Sequence, residues 1–356
     1  MENMQIFDGH IDTFTKLFLS KDSQNKSFLV ENDFVHVDLI KAKKGGLAGS
    51  FCAIMVPQPE DSPERDPYYG LTITDTGYDV TYRSQIDCDY AVDFTDSVIA
   101  FIEDQVFKSG ENAKIIKTYD DFRQSMHEGR FGIVLHLEGA AAIKEDLSNL
   151  EQYYEKGVRS IGLAWSRPNV FAHGVPYKFP HSPDIGPGLS SAGKKLVKAC
   201  NKLGIIIDLA HLNGKGFWDV ACLSNKPLVV SHAGVHALCP STRNLTNDQI
   251  VAVGKSGGVI GVLFESTNLR KNGMPDEKMP ISRIVEHVDY IAKRIGIDHV
   301  AFGSDFDGAD MPYDLSNALF LSYLIKELKR VGYSDTEVEK IAFHNWMRVM
   351  SDTWKS

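Results

Sequence analysis

The chain has 356 residues, with 38 Lys and Arg against 47 Asp and Glu, and a formal charge of -9. At 43% hydrophobic and 24% charged residues it has the composition of a globular domain with a large core, which excludes a disordered or collagen-like chain. The acidic balance argues against a general binder of nucleic acid or anionic membranes, and no apolar run approaches the roughly 20 residues that span a bilayer. The start, Met1-Glu2-Asn3-Met4-Gln5, has neither the basic nor the apolar part of a secretory leader, and the end, Ser351 to Ser356, has no apolar anchor. Cys52, Cys88, Cys200, Cys222 and Cys239 are never in CxxC spacing, as expected of reduced cysteines in a cytoplasmic protein.

Short apolar runs, rich in β-branched residues, alternate with longer amphipathic stretches. The predicted strands are Gln5 to Asp8, Gly49 to Val56, Gly132 to Leu137, Ser160 to Ala164, Gly204 to Leu209, Leu228 to Ser231, Gly258 to Val262 and His299 to Gly303. Helical periodicity covers Ala91 to Phe107, Ser190 to Lys202, Gly214 to Leu223, Thr246 to Lys255 and Ile281 to Arg294. This alternation predicts an α/β fold with a parallel sheet, and eight units point to a (β/α)8 TIM barrel rather than a doubly wound sheet. Two long βα loops without regular structure are expected at about 57–90 and 167–188, over the face that carries active sites in such barrels. From Leu315 onward two helices should pack on the barrel. No linker divides the chain, so residues 1–356 read as a single domain.

The chemistry sits at the strand ends. Strand 1 ends in Asp8-Gly9-His10-Ile11-Asp12, and an extended backbone points His10 and Asp12 the same way. Strand 3 closes with Leu135-His136-Leu137-Glu138, where a charge after an apolar run either reaches water or has a partner. His136 shares the parity of Glu138 and reads as a buried supporting histidine. Strands 5 and 6 run into Asp208-Leu209-Ala210-His211 and Ser231-His232, one βα unit apart, and strand 8 runs into Ser304-Asp305-Phe306-Asp307. Any one of these has a bland explanation as a core histidine or a turn aspartate; six together at strand ends do not. Imidazole and carboxylate suit zinc and related divalent metals. Five ligands are too many for one catalytic zinc and fit two metals bridged by a carboxylate. The economical arrangement places His10 and Asp12 on one metal, His211 and His232 on the other, Glu138 between them, and Asp305 as the proton-transfer group.

At these residues the sequence resembles the renal (membrane) dipeptidase family of zinc peptidases, family M19. The resemblance rests on DGHIDT, LEGA, IIIDLAHL, VVSHAG, STRN and GSDFDG, and on Asn345 to Val349 near the end. It implies a TIM barrel with two Zn2+ per subunit that hydrolyses dipeptides, in some members with a D-residue at the C-terminal position. It assigns the same five metal ligands, and it assigns Arg243 to the free carboxylate of the substrate. In one place the chain departs from the pattern: where the family's dipeptidases carry a histidine after strand 4, this chain has Trp165. His173, eight residues on, is the candidate substitute.

Two rival readings stand beside this one. The first is another metal-dependent barrel amidohydrolase, acting on cyclic amides or phosphoesters. The second is a zinc-binding homologue without catalysis, which only Trp165 favours. The chain has no GxSxG elbow, P-loop or GxGxxG fingerprint. The partners expected are small dipeptides, without nucleic acid or membrane, and a homodimer is the default assembly.

Overall fold

A computed structural model describes residues 4–22 and 27–355. Met1 to Asn3 and Ser356, on which the reading of the termini partly rests, lie outside the described residues. Eight parallel strands form the barrel: β1 (Ile6–Ile11), β2 (Leu47–Ile54), β3 (Phe131–Leu137), β4 (Val158–Gly162), β5 (Ile206–Asp208), β6 (Val229–Ala233), β7 (Val259–Val262) and β8 (Val300–Phe302). Each is paired with the next in chain order. The ring returns on itself just past β8, where Asp12 N donates to Phe306 O at 2.8 Å and Asp305 N donates to His10 O at 3.1 Å. The fold is the expected (β/α)8 barrel. The strands are buried on both sides, which is why they read as continuous apolar runs.

The outer helices lie where the periodicity places them, and their starts are set by side-chain caps. Ser190 caps Ser191–Leu203, Asn213 caps Gly214–Leu223, and a Thr246–Gln249 capping box opens Asn247–Lys255. The helix expected from Ala91 begins earlier, at Cys88, because the Asp87 side chain accepts from Tyr90 N. The end of the chain forms Leu321–Arg330 and then a second helical stretch from Asp335 to Thr353, interrupted by one π turn at Lys340–His344.

One end of the barrel is filled. Phe7, Phe51, Val134, Ile206, Val229, Val259 and Ala301 converge on Trp346 of the last helix. Trp346 is fully buried, and its indole N–H donates to Phe302 O at 2.9 Å. Gly9 is required here by close approach: a Cβ would lie 2.4 Å from the Trp346 ring and 2.5 Å from Ser231 O. The opposite end, where the strands terminate, is left for chemistry.

The two long loops correct the sequence expectation. Both contain regular structure, because Leu71–Thr74 and Gly77–Val80 form a hairpin and Lys178–Phe179 of the second loop adds a third antiparallel strand. The β-branched alternation of Leu71-Thr72-Ile73-Thr74 is a hairpin signal that the loop's prolines obscured. The small sheet ties the two loops together over the barrel mouth. A short strand, Ala113–Ile115, also pairs beside β3 outside the ring and was not expected.

Candidate metal centre and substrate cavity

Local backbone irregularities aim the side chains into the mouth. In β1, Phe7 and Gly9 face the barrel interior while Ile11 packs in the outer layer. A register shift between Asp8 and Ile11 turns His10 toward the mouth. In β6 the pairing slips between Val230 and Ala233, so that Val229 fills the barrel and His232 points upward. Glu138 needs no such device, because it continues the inward alternation of Val134 and His136. His211 and Asp305 are held at φ of 63° and 65°, a left-handed conformation that non-glycine residues adopt at a cost and that clusters at functional sites.

The six strand-end residues meet. His10 Nε2 is 3.2 Å from Asp12 Oδ2, 3.6 Å from Glu138 Oε1 and 4.0 Å from Asp305 Oδ1. Glu138 Oε1 is also 3.0 Å from His211 Nε2 and 3.7 Å from His232 Nε2, and these two nitrogens are 3.1 Å apart. Asp305 is partly buried and the others are buried. Among the described residues no Lys or Arg nitrogen lies within ion-pair distance of Asp12, Glu138 or Asp305. Three carboxylates confined with three imidazoles, without a paired lysine or arginine, form a donor set that fits divalent metal. His10, Glu138 and His232 form one cluster of converging donors, and His10, Asp12 and Asp305 another.

The imidazoles are oriented from behind. Ser231 Oγ donates to Asp208 Oδ2 at 2.5 Å, so at 2.8 Å from His232 it can only accept the Nδ1 proton. That tautomer leaves the His232 Nε2 lone pair free, the form a metal requires. His211 Nδ1 is 2.7 Å from Ser166 Oγ. Asp8 accepts from the backbone N–H groups of His10 and Ser304, tying β1 to β8 beneath the cluster. His136 lies a layer below, bound to Ser160 through Nδ1 at 2.9 Å.

Charge in this cluster is held by protons when the protein stands alone. Burial raises the Glu138 carboxyl to about 8 and that of Asp305 to about 7, and in each case Asp12 adds to the effect. Burial opposes charging of His10, but Glu138, Asp12 and Asp305 outweigh it and push its pKa up to about 10. Burial, together with Arg243 and His10, holds His211 and His232 well below the ordinary histidine value.

A cavity of about 660 Å³ opens above the cluster, with Asp305, Trp165, Ser166, Tyr177, Tyr78 and Glu265 in its walls. The Trp165 ring lies 5.9 Å from His211 and 6.2 Å from Tyr177, and the guanidinium groups of Arg167 and Arg83 lie 5.1 and 5.7 Å from it. Arg243 is buried beside His232, and its Nη2 reaches only the His232 carbonyl, at 3.5 Å. Among the described residues no carboxylate lies within ion-pair distance of it. Its loop is braced by Ser241 to Asn268 at 2.7 Å and by Asn244 to the Cys239 and Asn268 carbonyls. His173 is placed elsewhere: it pairs with Pro168, its carbonyl accepts from Asn213 N, and its ring lies beside Gly186, outside the cavity walls. The residues singled out in the sequence thus meet at one end of the barrel, with His173 in the surrounding loops there but not among the residues that line the cavity.

Glu265 and Ser166 were missed, whereas Tyr177 ends the Arg167 to Tyr177 loop that the sequence assigns to the pocket walls. Glu265 was within reach, since it closes the apolar run Val259 to Phe264 just as Glu138 closes its own strand.

The barrel and the convergent His and carboxylate side chains define a metal-dependent hydrolase of the barrel type. The chain belongs to the membrane dipeptidase family, peptidase family M19, whose profile matches residues 1–355. An uncharacterised protein encoded in the pqqA 5′ region of Klebsiella pneumoniae is 40% identical over 257 residues, which is 72% of this chain and 95% of that one. The dipeptidase tcpJ of Claviceps purpurea is 26% identical over 97% of this chain and 76% of its own. Among solved structures, a metallopeptidase of Rhodobacter sphaeroides liganded with a phosphinate mimic of the dipeptide L-Ala-D-Ala superposes with a TM-score of 0.93 at 35% identity, covering 99% of this chain and 100% of that one. The protein is therefore a metallodipeptidase-family hydrolase.

Proposed function

We propose that the protein cleaves the peptide bond of dipeptides, including those with a D-residue at the C-terminal position, at a pair of divalent cations, zinc in the first instance. The observation that carries this reading is Glu138: one of its oxygens lies within 4 Å of His10, His211 and His232 together. His10 and Asp12 would hold one ion, His211 and His232 the other, with Glu138 bridging them. When bound, such a pair supplies hydroxide from water near neutral pH and polarises the scissile carbonyl.

The remaining steps belong to the chain's own residues. Asp305, at the cavity wall, takes the proton of the attacking water and returns it to the leaving amine. Arg243, a buried guanidinium without an acidic partner among the described residues, clamps the terminal carboxylate of the substrate and so restricts the enzyme to short peptides. Trp165 and Tyr177 wall the pocket above His211. Five unpaired cysteines support the expectation of a reducing, cytoplasmic setting, and a homodimer is the assembly we propose.

Kinetics of metal-reconstituted protein on a panel of L-L and L-D dipeptides test this reading, and no hydrolysis of any member would overturn it. In the same assay Glu138→Ala should lose activity by at least about 100-fold, with lower metal content. Undiminished activity would remove the bridging role.

A further inference from the structure

Glu265 stands at the end of β7 on the cavity wall and takes no part in the chemistry above. Its two carboxylate oxygens are held by separate neutral donors, Thr267 Oγ1 on one and Asn268 Nδ2 on the other. Among the described residues no Lys, Arg or His nitrogen forms an ion pair with it. The cationic side chains that share the cavity are engaged elsewhere. Lys16 pairs with Asp307 at 3.1 Å, and Arg83 donates to the carbonyls of Asp66 and Pro67. Asp310, also in the cavity wall, adds negative charge on the same side.

A half-buried carboxylate on the cavity wall that is given only neutral donors stays available to a cation brought by the ligand. Its position relative to Arg243 identifies which part of the ligand that is. Asn268, which holds Glu265, also accepts from Ser241 Oγ, and its carbonyl accepts from Asn244; both residues flank Arg243 in the same loop. The carboxylate clamp and Glu265 are therefore braced as one unit. Arg243 is near enough to ease the charging of Glu265, yet the two do not pair. A ligand whose carboxylate is taken by Arg243 would have the side chain of that same residue within reach of this wall.

We propose that Glu265 is a specificity-determining residue that binds a cationic side chain, ammonium or guanidinium, on the C-terminal residue of the dipeptide. This rests on the assignment of Arg243 to the substrate carboxylate.

The test compares Ala-Lys with Ala-norleucine, which has the same straight chain without the ammonium, each with an L- and a D-configured second residue. The expected ratio of kcat/KM is at least about tenfold in favour of lysine, carried mainly by KM. In Glu265→Gln, which keeps a side chain of the same shape, the ratio should fall to about one. In Glu265→Lys the preference should move to Ala-Glu. A wild-type ratio near one, a ratio unchanged in Glu265→Gln, or an equal preference for Lys-Ala over norleucine-Ala would overturn the assignment. Binding of Ala-Lys and Ala-norleucine to the metal-free protein, measured by calorimetry, gives the same comparison without turnover. Lysine selectivity there, lost in Glu265→Gln, upholds the proposal even if no dipeptide is hydrolysed, and equal binding refutes it even in an active enzyme.

Discussion

At the scale of single residues, the site is built from groups that would be unfavourable anywhere else in the barrel. Asp305 combines a left-handed backbone, φ 65°, with a carboxyl pushed up to about 7 by burial. If it carries the proton, Asp305→Asn keeps the shape and removes the base. We expect kcat to fall by about 100- to 10,000-fold with metal content unchanged. A loss of metal equal to the loss of activity would make Asp305 a ligand instead. If Arg243 clamps the substrate carboxylate, it acts through binding. Arg243→Lys keeps the charge but loses the planar fork, so KM for dipeptides should rise by about tenfold or more while kcat changes less. A change confined to kcat would contradict the clamp. Some of this was readable beforehand: a histidine or acid closing an apolar run is conspicuous, and His10, Glu138, His211, His232 and Asp305 were all found that way. Glu265 obeys the same rule and was passed over. The lack of an acidic partner for Arg243 could not be read, because partnership is a property of distance.

At the scale of elements, the strand ends do more than carry the clustered side chains. Regular alternation along β1 and β6 would send His10 and His232 away from the mouth, and the register shifts correct this. Periodicity located all eight strands, since burial on both faces leaves a mark in composition, but a bulge leaves none. The hairpin over the mouth was read as loop because Pro and Asp around it mask a short β-branched run. At the other end, Trp346 links the last helix to the barrel floor, against Phe51 at 5.2 Å and the Phe302 carbonyl. Trp346→Ala should destabilise the fold by about 3–5 kcal/mol, through the cavity and the unpaired carbonyl it leaves. Urea unfolding reads this directly, and a change below about 1 kcal/mol would mean that the floor is packed without it.

At the scale of the whole molecule, metal and protons compete for the same charge. In the metal-free protein Glu138, Asp305 and His10 all have raised pKa values, to about 8, about 7 and about 10. Each holds its proton more tightly folded than unfolded, so stability falls as pH rises from the unfolded value toward the folded one. His211 and His232 are shifted the other way, and their contribution is already complete above the ordinary histidine value of 6.5. Between pH 6.5 and 8 Glu138 and His10, joined by Asp305 up to about pH 7, therefore act in one direction. The Tm of metal-free protein should fall by several degrees across that interval, and saturating divalent metal should abolish the fall. Calorimetry with and without chelator measures both, and a metal-free Tm that is flat or rising would contradict the charge balance described for the cluster.

The strand count, the barrel class and the residue types of the histidine and carboxylate cluster were all present in the one-dimensional pattern. They follow from local regularities: apolar runs of strand length, helical periodicity between them, and a charged or imidazole side chain at each strand end. Convergence is a different kind of fact. His10 and Asp305 are neighbours because the ring closes through Phe306, and His232 reaches Glu138 because its strand slips register. His173, near in sequence to the strand 4 loop, is turned against Gly186 and out of the cavity. These outcomes depend on hydrogen-bond register and backbone handedness across the sheet, and free energies of that kind are set by residues far apart in the chain. Which ligands the sequence offers was legible; which of them share a few ångströms of space was decided by the closed barrel.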